Sequence, residues 1–220
     1  MILMSIGEAA ERLGVSVRQV QHLVADGQLR GLSRGMVDGS SVERLQAERN
    51  GTHTRAWSAS TAWGAVALLS GMTAEWMGTT QRSRLRGQLR RTTSTELVAR
   101  VRNRALVTRW RAHSSAGRYL LGELVYAVGA AGRLGLAESD AIDGYVWTGD
   151  VAGIVDAHGL INDDAGRVTL RATDFDLGAV RELANGNVVL AALDLAGSLD
   201  TRERRAGLDA LDSALEGFRD

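Results

Sequence analysis

The chain has no cysteine, no proline and no lysine, and aromatic residues fill only 5% of its 220 positions. Without cysteine, disulfides and thiolate metal sites are excluded, and nothing points to an oxidising compartment. Without lysine, all 26 basic residues are arginine, a bias that a GC-rich genome produces as readily as an anionic partner does. Long apolar runs are missing too. None approaches the ~18 residues of a membrane span, and the opening Met1-Ile2-Leu3-Met4 lacks the basic leader and the length of a signal peptide. A soluble, cytoplasmic protein with no membrane contact is the expectation.

Catalytic signatures are equally scarce. There is no Walker-type glycine loop and no G-x-S-x-G elbow. The four histidines (His22, His53, His113 and His158) are too scattered for a local metal motif. Asp163-Asp164 and the Asp174/Asp176 pair could hold a cation, as Asp-x-Asp does in nucleotidyl transferases. No glycine-serine phosphate loop precedes them, and turn solvation is the simpler reading. No enzyme activity, cofactor or metal is expected.

What is present is a charge asymmetry inside a chain of zero net charge. Residues 1–113 hold 17 arginines and 8 acids (+9), while residues 114–220 hold 9 arginines and 18 acids (−9). Between Arg82 and Arg111, ten arginines face one acid, Glu96. The first part suits a polyanion and the second would repel it. An arginine-rich helix is often no more than a solvated face, but such faces normally alternate in sign, and this one does not.

Residues 5–49 carry a helix-turn-helix pattern. Ser5 is placed to cap a helix with Ala9, Ala10 and Leu13 inward; Gly14 supplies a positive-φ turn and Val15 plugs the corner. Ser16 caps a second helix in which Val17, Val20 and Val24 share the i, i+3, i+7 face. Arg18, Gln19 and His22 fall on the opposite face, near the helix start, where recognition helices present side chains to base edges. After Asp26-Gly27, the stretch Leu29 to Val37 looks like a two-stranded wing, placing Arg30 and Arg34 against phosphate or minor groove. Ser40 or Ser41 caps a third helix through Leu45. This block resembles the excisionase/MerR-like winged helix-turn-helix, with DNA-binding residues Ser16, Arg18, Gln19, His22, Arg30 and Arg34; a helical protein-binding module is the alternative.

Asn50-Gly51-Thr52-His53-Thr54 is polar and serves as a linker. From Trp57 the pattern is helical to about His113, with Trp63, Val66, Ala67 and Leu69 on one face and Gly71 ending the first helix. Thr80 caps a second helix with Leu85 and Leu89 inward and Arg82, Arg86 and Arg90 stacked four residues apart. Like charges at that spacing cost an isolated helix roughly 0.2–0.5 kcal/mol per pair, so Arg82, Arg84, Arg86, Arg90 and Arg91 fit beside a polyanion or an acidic partner. Thr93 to Glu96 fits a capping box opening a third helix with Leu97, Val101, Ala105 and Trp110 inward. Trp57, Trp63, Trp76 and Trp110 read as core residues rather than base-stacking platforms.

The acidic remainder is mixed. A helical run from Tyr119 to Val128 leads to a short strand near Asp143–Trp147, and Asp150 caps a helix with Val151, Ile154 and Val155 buried. A turn at Asp163–Gly166 precedes Arg167–Arg171, which alternates as a half-buried strand. Asn187–Leu195 is apolar, and Asp200 caps a last helix with Ala206, Leu208, Leu211 and Leu215 inward. The fold class expected is mainly α with small β elements (α+β): a winged helix over residues 1–50, an arginine-rich helical segment over 51–113 and an acidic mixed domain over 114–220.

The strings "DVAGIVDAHGLINDDAGRVTLRAT" and "NVVLAALDLAGSLDTRERRAGLDAL", with "WGAVALLSG…EWM…QRSRLRGQLR" in the middle, resemble the actinobacterial AbiEi-like antitoxins of abortive-infection toxin–antitoxin pairs. That resemblance implies a DNA-binding autorepressor with a nucleotidyltransferase-like toxin as partner, and no catalytic residues. A stand-alone or phage-derived regulator, whose C-terminal part forms a homo-oligomer or senses a ligand, is the second possibility. A nucleic-acid-modifying enzyme that uses the acidic part is a distant third.

Overall fold

Local hydrogen bonds set the first unit. In the computed structural model, which describes residues 3–49, 54–125, 130–137 and 140–220, β1 (Leu3–Ser5) passes directly into α1 (Ile6–Leu13). Ser5 Oγ accepts from the Glu8 N–H at 3.2 Å and Glu8 accepts from the Ser5 N–H at 2.8 Å, a reciprocal capping box. Gly14, at φ 63°, turns the chain in the left-handed region. α2 (Val17–Ala25) opens at Ser16, whose Oγ accepts from the Gln19 N–H at 3.2 Å.

β2 (Gly31–Ser33) and β3 (Met36–Asp38) form the hairpin expected as a wing, and β1 completes an antiparallel sheet in the order β1-β3-β2. α3 (Gly39–Arg49) follows. Asp38, rather than Ser40 or Ser41, accepts the exposed N–H at its start, from Ser40 at 3.0 Å. Ser41 Oγ accepts from the Arg30 N–H and donates to the Asp38 carbonyl. The core between these elements holds Ala9, Leu13, Val20, Leu23, Leu29, Val37, Val42 and Leu45. Val17 stays 47% exposed, because the inward stripe of α2 is Val20 and Leu23, with Val24 partly buried beside them.

The rest of the chain builds a second and larger core. α4 (Ala59–Leu69) is buried at every position from Ala62 to Leu69, and α5 (Thr79–Leu89) packs on it through Leu85 and Leu89. α5 starts after Gly78, leaving Thr80 inside the first turn rather than at the cap. α6 (Ser94–Val101) opens with the capping box at Thr93 and Glu96. It does not continue to His113. A 3-10 turn at Arg102–Arg104 ends it, and Leu106–Arg111 forms a strand, β4. Val107, Thr108 and Trp110 favour a pleated surface, and pairing with a distant strand overrides the helical spacing that links Leu97, Val101 and Ala105.

That strand sits inside a four-stranded sheet. α7 (Gly117–Glu123) and the short α8 (Ala130–Arg133) precede β5 (Ile142–Trp147); α9 (Val151–Ala157), β6 (Ile161–Asn162) and β7 (Val168–Thr173) follow. The helical run expected to reach Val128 ends at Glu123; residues 126–128 and most of the linker, 50–53, lie outside the described residues. The order is β5-β7-β4-β6, with β7 parallel to β5 and antiparallel to β4. One face is covered by Leu120, Ile154 and Leu160. Toward the other lie α4, α6, α10 (Leu177–Gly186), α11 (Val189–Ala196) and α12 (Thr201–Arg219), whose shared core runs from Ala62 to Leu215. β7, expected to be half-buried, is buried at every position.

The protein is therefore mainly α with small β elements, a winged helix-turn-helix followed by a mixed α+β body. The two parts that charge divides at residue 113 are joined by one sheet and one core. Among the described residues no helix is long and apolar enough to cross a membrane.

Candidate nucleic-acid interface

The first turn of α2 is open. Ser16, Val17, Arg18, Gln19 and His22 are all exposed, and among the described residues none of their side chains forms a hydrogen bond or ion pair with the body. Ser16 has its hydroxyl committed to the Gln19 N–H, which holds the helix start rigid. Val17 adds an exposed methyl surface beside Arg18 and Gln19. An apolar group and two hydrogen-bonding side chains at one helix start is the combination that reads a thymine methyl and neighbouring base edges. Beyond the opposite end of α2, a side chain at Gly27 would come within van der Waals contact of Leu106, 3.6 Å from its nearer methyl.

The wing arginines separate. Arg34 stands exposed in the β2–β3 turn beside Gly35, whose φ of 84° needs glycine. Expected on the wing beside it, Arg30 instead precedes β2 and turns inward. Its guanidinium lies 3.7 Å from Asp38 and donates to the Asn162 carbonyl on β6 at 3.0 Å. Arg44 of α3 repeats the contact, donating to Asp164 Oδ1 at 2.9 Å and to its carbonyl at 3.1 Å. These two arginines seat the winged helix on the sheet.

The ten arginines from 82 to 111 also divide by environment. On and just after α5, Arg84, Arg86, Arg90 and Arg91 are exposed and Arg82 is half-buried; none of the five forms an ion pair among the described residues. α5 packs on α4, whereas the winged helix meets the body chiefly through α3 on α6. Arg100 sits over the Trp57 ring at 5.4 Å, and Arg102 donates to the Thr54 carbonyl at 3.1 Å. Arg104 is buried in a polar layer beneath the sheet.

That layer was invisible in the residue pattern. Arg104 and the Tyr145 hydroxyl both donate to Asp194 Oδ1, and Arg104 also donates to the Tyr145 oxygen at 3.0 Å. Arg171 binds Asp143 through two bonds of 2.6 and 2.8 Å and lies 3.3 Å from Asp194. Burial pushes the Tyr145 hydroxyl pKa up, with Asp194 adding to it. Burial works against the charge on Arg104 and Arg171, yet their pKa values are raised because Asp194, Asp143 and the Tyr145 oxygen outweigh it. The one available signal was a charged residue inside each β-branched run, Arg109 in LVTRWR and Arg171 in VTLRAT. Three of the four aspartates weighed as cation ligands are occupied: Asp164 holds Arg44, Asp163 lies 3.8 Å from Arg111, and Asp176 caps α10, while Asp174 is exposed. Asp164 has its pKa raised, first by burial and then by the neighbouring Asp38 carboxylate, against the pull of Arg44.

No protein-family model matches this chain, and neither a curated protein nor a solved structure matches it significantly.

Proposed function

We propose that the protein is a sequence-specific DNA-binding antitoxin that represses its own operon in the cytoplasm and neutralises a nucleotidyltransferase-like toxin. The observation that carries DNA binding is the open first turn of α2, with Val17, Arg18 and Gln19 exposed together beside a wing that ends in Arg34. In this reading α2 enters the major groove and Arg34 meets phosphate. Arg30, already held by Asp38 and Asn162, contributes to the seat instead. The antitoxin role rests on the AbiEi-like resemblance and on the acidic character of residues 114–220, which suits a basic protein partner.

Gel-shift titrations on the duplex upstream of the gene test the DNA reading. Arg18→Ala and Gln19→Ala should each cost about 1–3 kcal/mol at one base pair and relax discrimination there. Arg34→Ala should weaken operator and scrambled duplexes alike and flatten the salt slope by about one. Wild-type binding by all three variants would overturn it. A second reading, a ligand-sensing regulator, draws on one observation: a polar cleft lined by Asp26, Gln28, Ser41 and Arg44 on one side and Arg102 and Leu106 on the other separates the winged helix from the body.

A further inference from the structure

The polar layer under the sheet holds more positive charge than its own carboxylates neutralise. Strand register sets this up. Arg109 on β4 pairs with Thr169, Thr169 pairs with Asp143, and Arg171 lies between Val107 and Tyr145, so these side chains share one face. Arg44 reaches that face from α3, Arg102 and Arg104 from the turn after α6, Asp194 from α11 and Glu203 from α12. Together they enclose a cavity of about 60 Å³. A single water needs only ~10–15 Å³ on this scale, and a drug-sized ligand ~300 Å³ or more. The room fits one compact oxyanion. An outer cleft of about 260 Å³ at the foot of the winged helix shares Arg44, Arg102 and Val107 as walls.

Five arginines line the inner cavity against three acids. Arg44 is answered by Asp164, and Arg104 and Arg171 by Asp194 and Asp143. Glu203 is taken up by the Ser198 hydroxyl. Arg109 has no ion pair and no side-chain hydrogen bond among the described residues, and its Nε is buried without a partner. Arg44, itself only 8% exposed, has an equally unpartnered Nε. Burial lowers the Arg109 pKa, with Arg44 and Arg171 repelling it further. A guanidinium beside two others, attracted by Asp143 and Asp164 but bonded to neither, is complementary to an anion that offers several oxygens at once.

We propose that this cavity binds a small phosphate-bearing anion, with Arg109 as its main ligand and Arg44 and Arg102 at the mouth, where the remainder of a larger ligand would enter the outer cleft. Phosphate fits better than carboxylate because its oxygens can meet more than one guanidinium fork. The site is tested without DNA.

The experiment compares melting of the full chain in chloride, inorganic phosphate and adenosine monophosphate at one ionic strength, with calorimetric titration of each. Phosphate should raise the melting temperature saturably. Arg109→Gln should weaken phosphate binding at least tenfold while melting no lower than wild type in chloride, since it removes an unneutralised charge. Arg181→Gln, an exposed arginine of α10, should keep the wild-type response. Tighter binding of the nucleotide would assign the outer cleft to the rest of the ligand, and equal binding would make free phosphate the ligand; both support the site. Three results overturn it: no difference between phosphate and chloride, a phosphate response retained in Arg109→Gln, or a variant that unfolds in chloride and so shows Arg109 to be a structural residue.

Discussion

Gly207 marks the closest approach of α12 to α11. A Cβ at that position would stand 2.6 Å from the Ala192 carbonyl oxygen and 2.6 Å from the Ala196 nitrogen. Both are backbone atoms in a packed helix and cannot turn aside. Alanine improves helix propensity by about 1 kcal/mol over glycine, but crowding of this kind typically costs about 1–3 kcal/mol. Gly207→Ala is therefore expected to lower stability in urea unfolding of the full chain. Gly217→Ala, on the same helix with open space around it, should raise it. Asp164 gives a pH-dependent counterpart. Its folded pKa lies above the unfolded value, so the native state binds that proton more tightly and gains stability as pH falls through the raised value. The stability difference between wild type and Asp164→Asn should thus shift in favour of wild type from neutral pH into the acid range. A difference that shifts the other way would mean that Arg44 dominates the carboxylate.

At the scale of elements, caps were readable and long-range pairings were not. Ser5, Ser16, Thr93 and Asp200 each satisfy N–H groups two or three residues away, so the chemistry lies wholly within the local sequence. β4 is the opposite case. Its apolar residues extend a helical spacing begun in α6, and only pairing with β7 and β6, far along the chain, makes Leu106–Arg111 a strand. β7 read as half-buried because Arg167, Thr169 and Arg171 alternate with apolar residues; the partners that neutralise Arg171, Asp143 and Asp194, come from other elements. The exposed face of α2 was legible because exposure follows from helical phase, while the inward turn of Arg30 depends on Asn162, which no local pattern reveals. α5 carries its own prediction. Replacing Arg84, Arg86, Arg90 and Arg91 by glutamine leaves its buried Leu85 and Leu89 untouched. If those arginines extend the DNA footprint, the salt slope of operator binding should fall by up to about one per lost phosphate contact. An unchanged slope and footprint would assign them to solvent.

On the scale of the whole molecule, the acidic part is not a detachable module. Three of its aspartates, Asp163, Asp164 and Asp194, pair with arginines of the basic part, and its sheet includes a strand from that part. The acids left for a partner lie outside, among them Asp212 and Glu216 on the exposed side of α12. Asp212→Arg with Glu216→Arg, made in the full chain, should weaken co-purification with the adjacent gene product and leave operator binding unchanged. Retained co-purification would move the proposed toxin contact off this helix.

The position of β4 between β7 and β6 also orders the birth of the protein. The winged helix closes with contacts made by residue 45, so it can fold as soon as it leaves the ribosome. β4 emerges next with both edges unpaired, and its partners at Ile161–Asn162 and Val168–Thr173 arrive last among the strands. Until then its hydrogen-bonding edges are open to wrong pairing. Nascent chains stalled shortly before residue 160 should therefore present a finished winged helix on an aggregation-prone tail, which limited proteolysis and sedimentation of stalled chains can measure. Chains extended past β7 should lose the tendency to sediment.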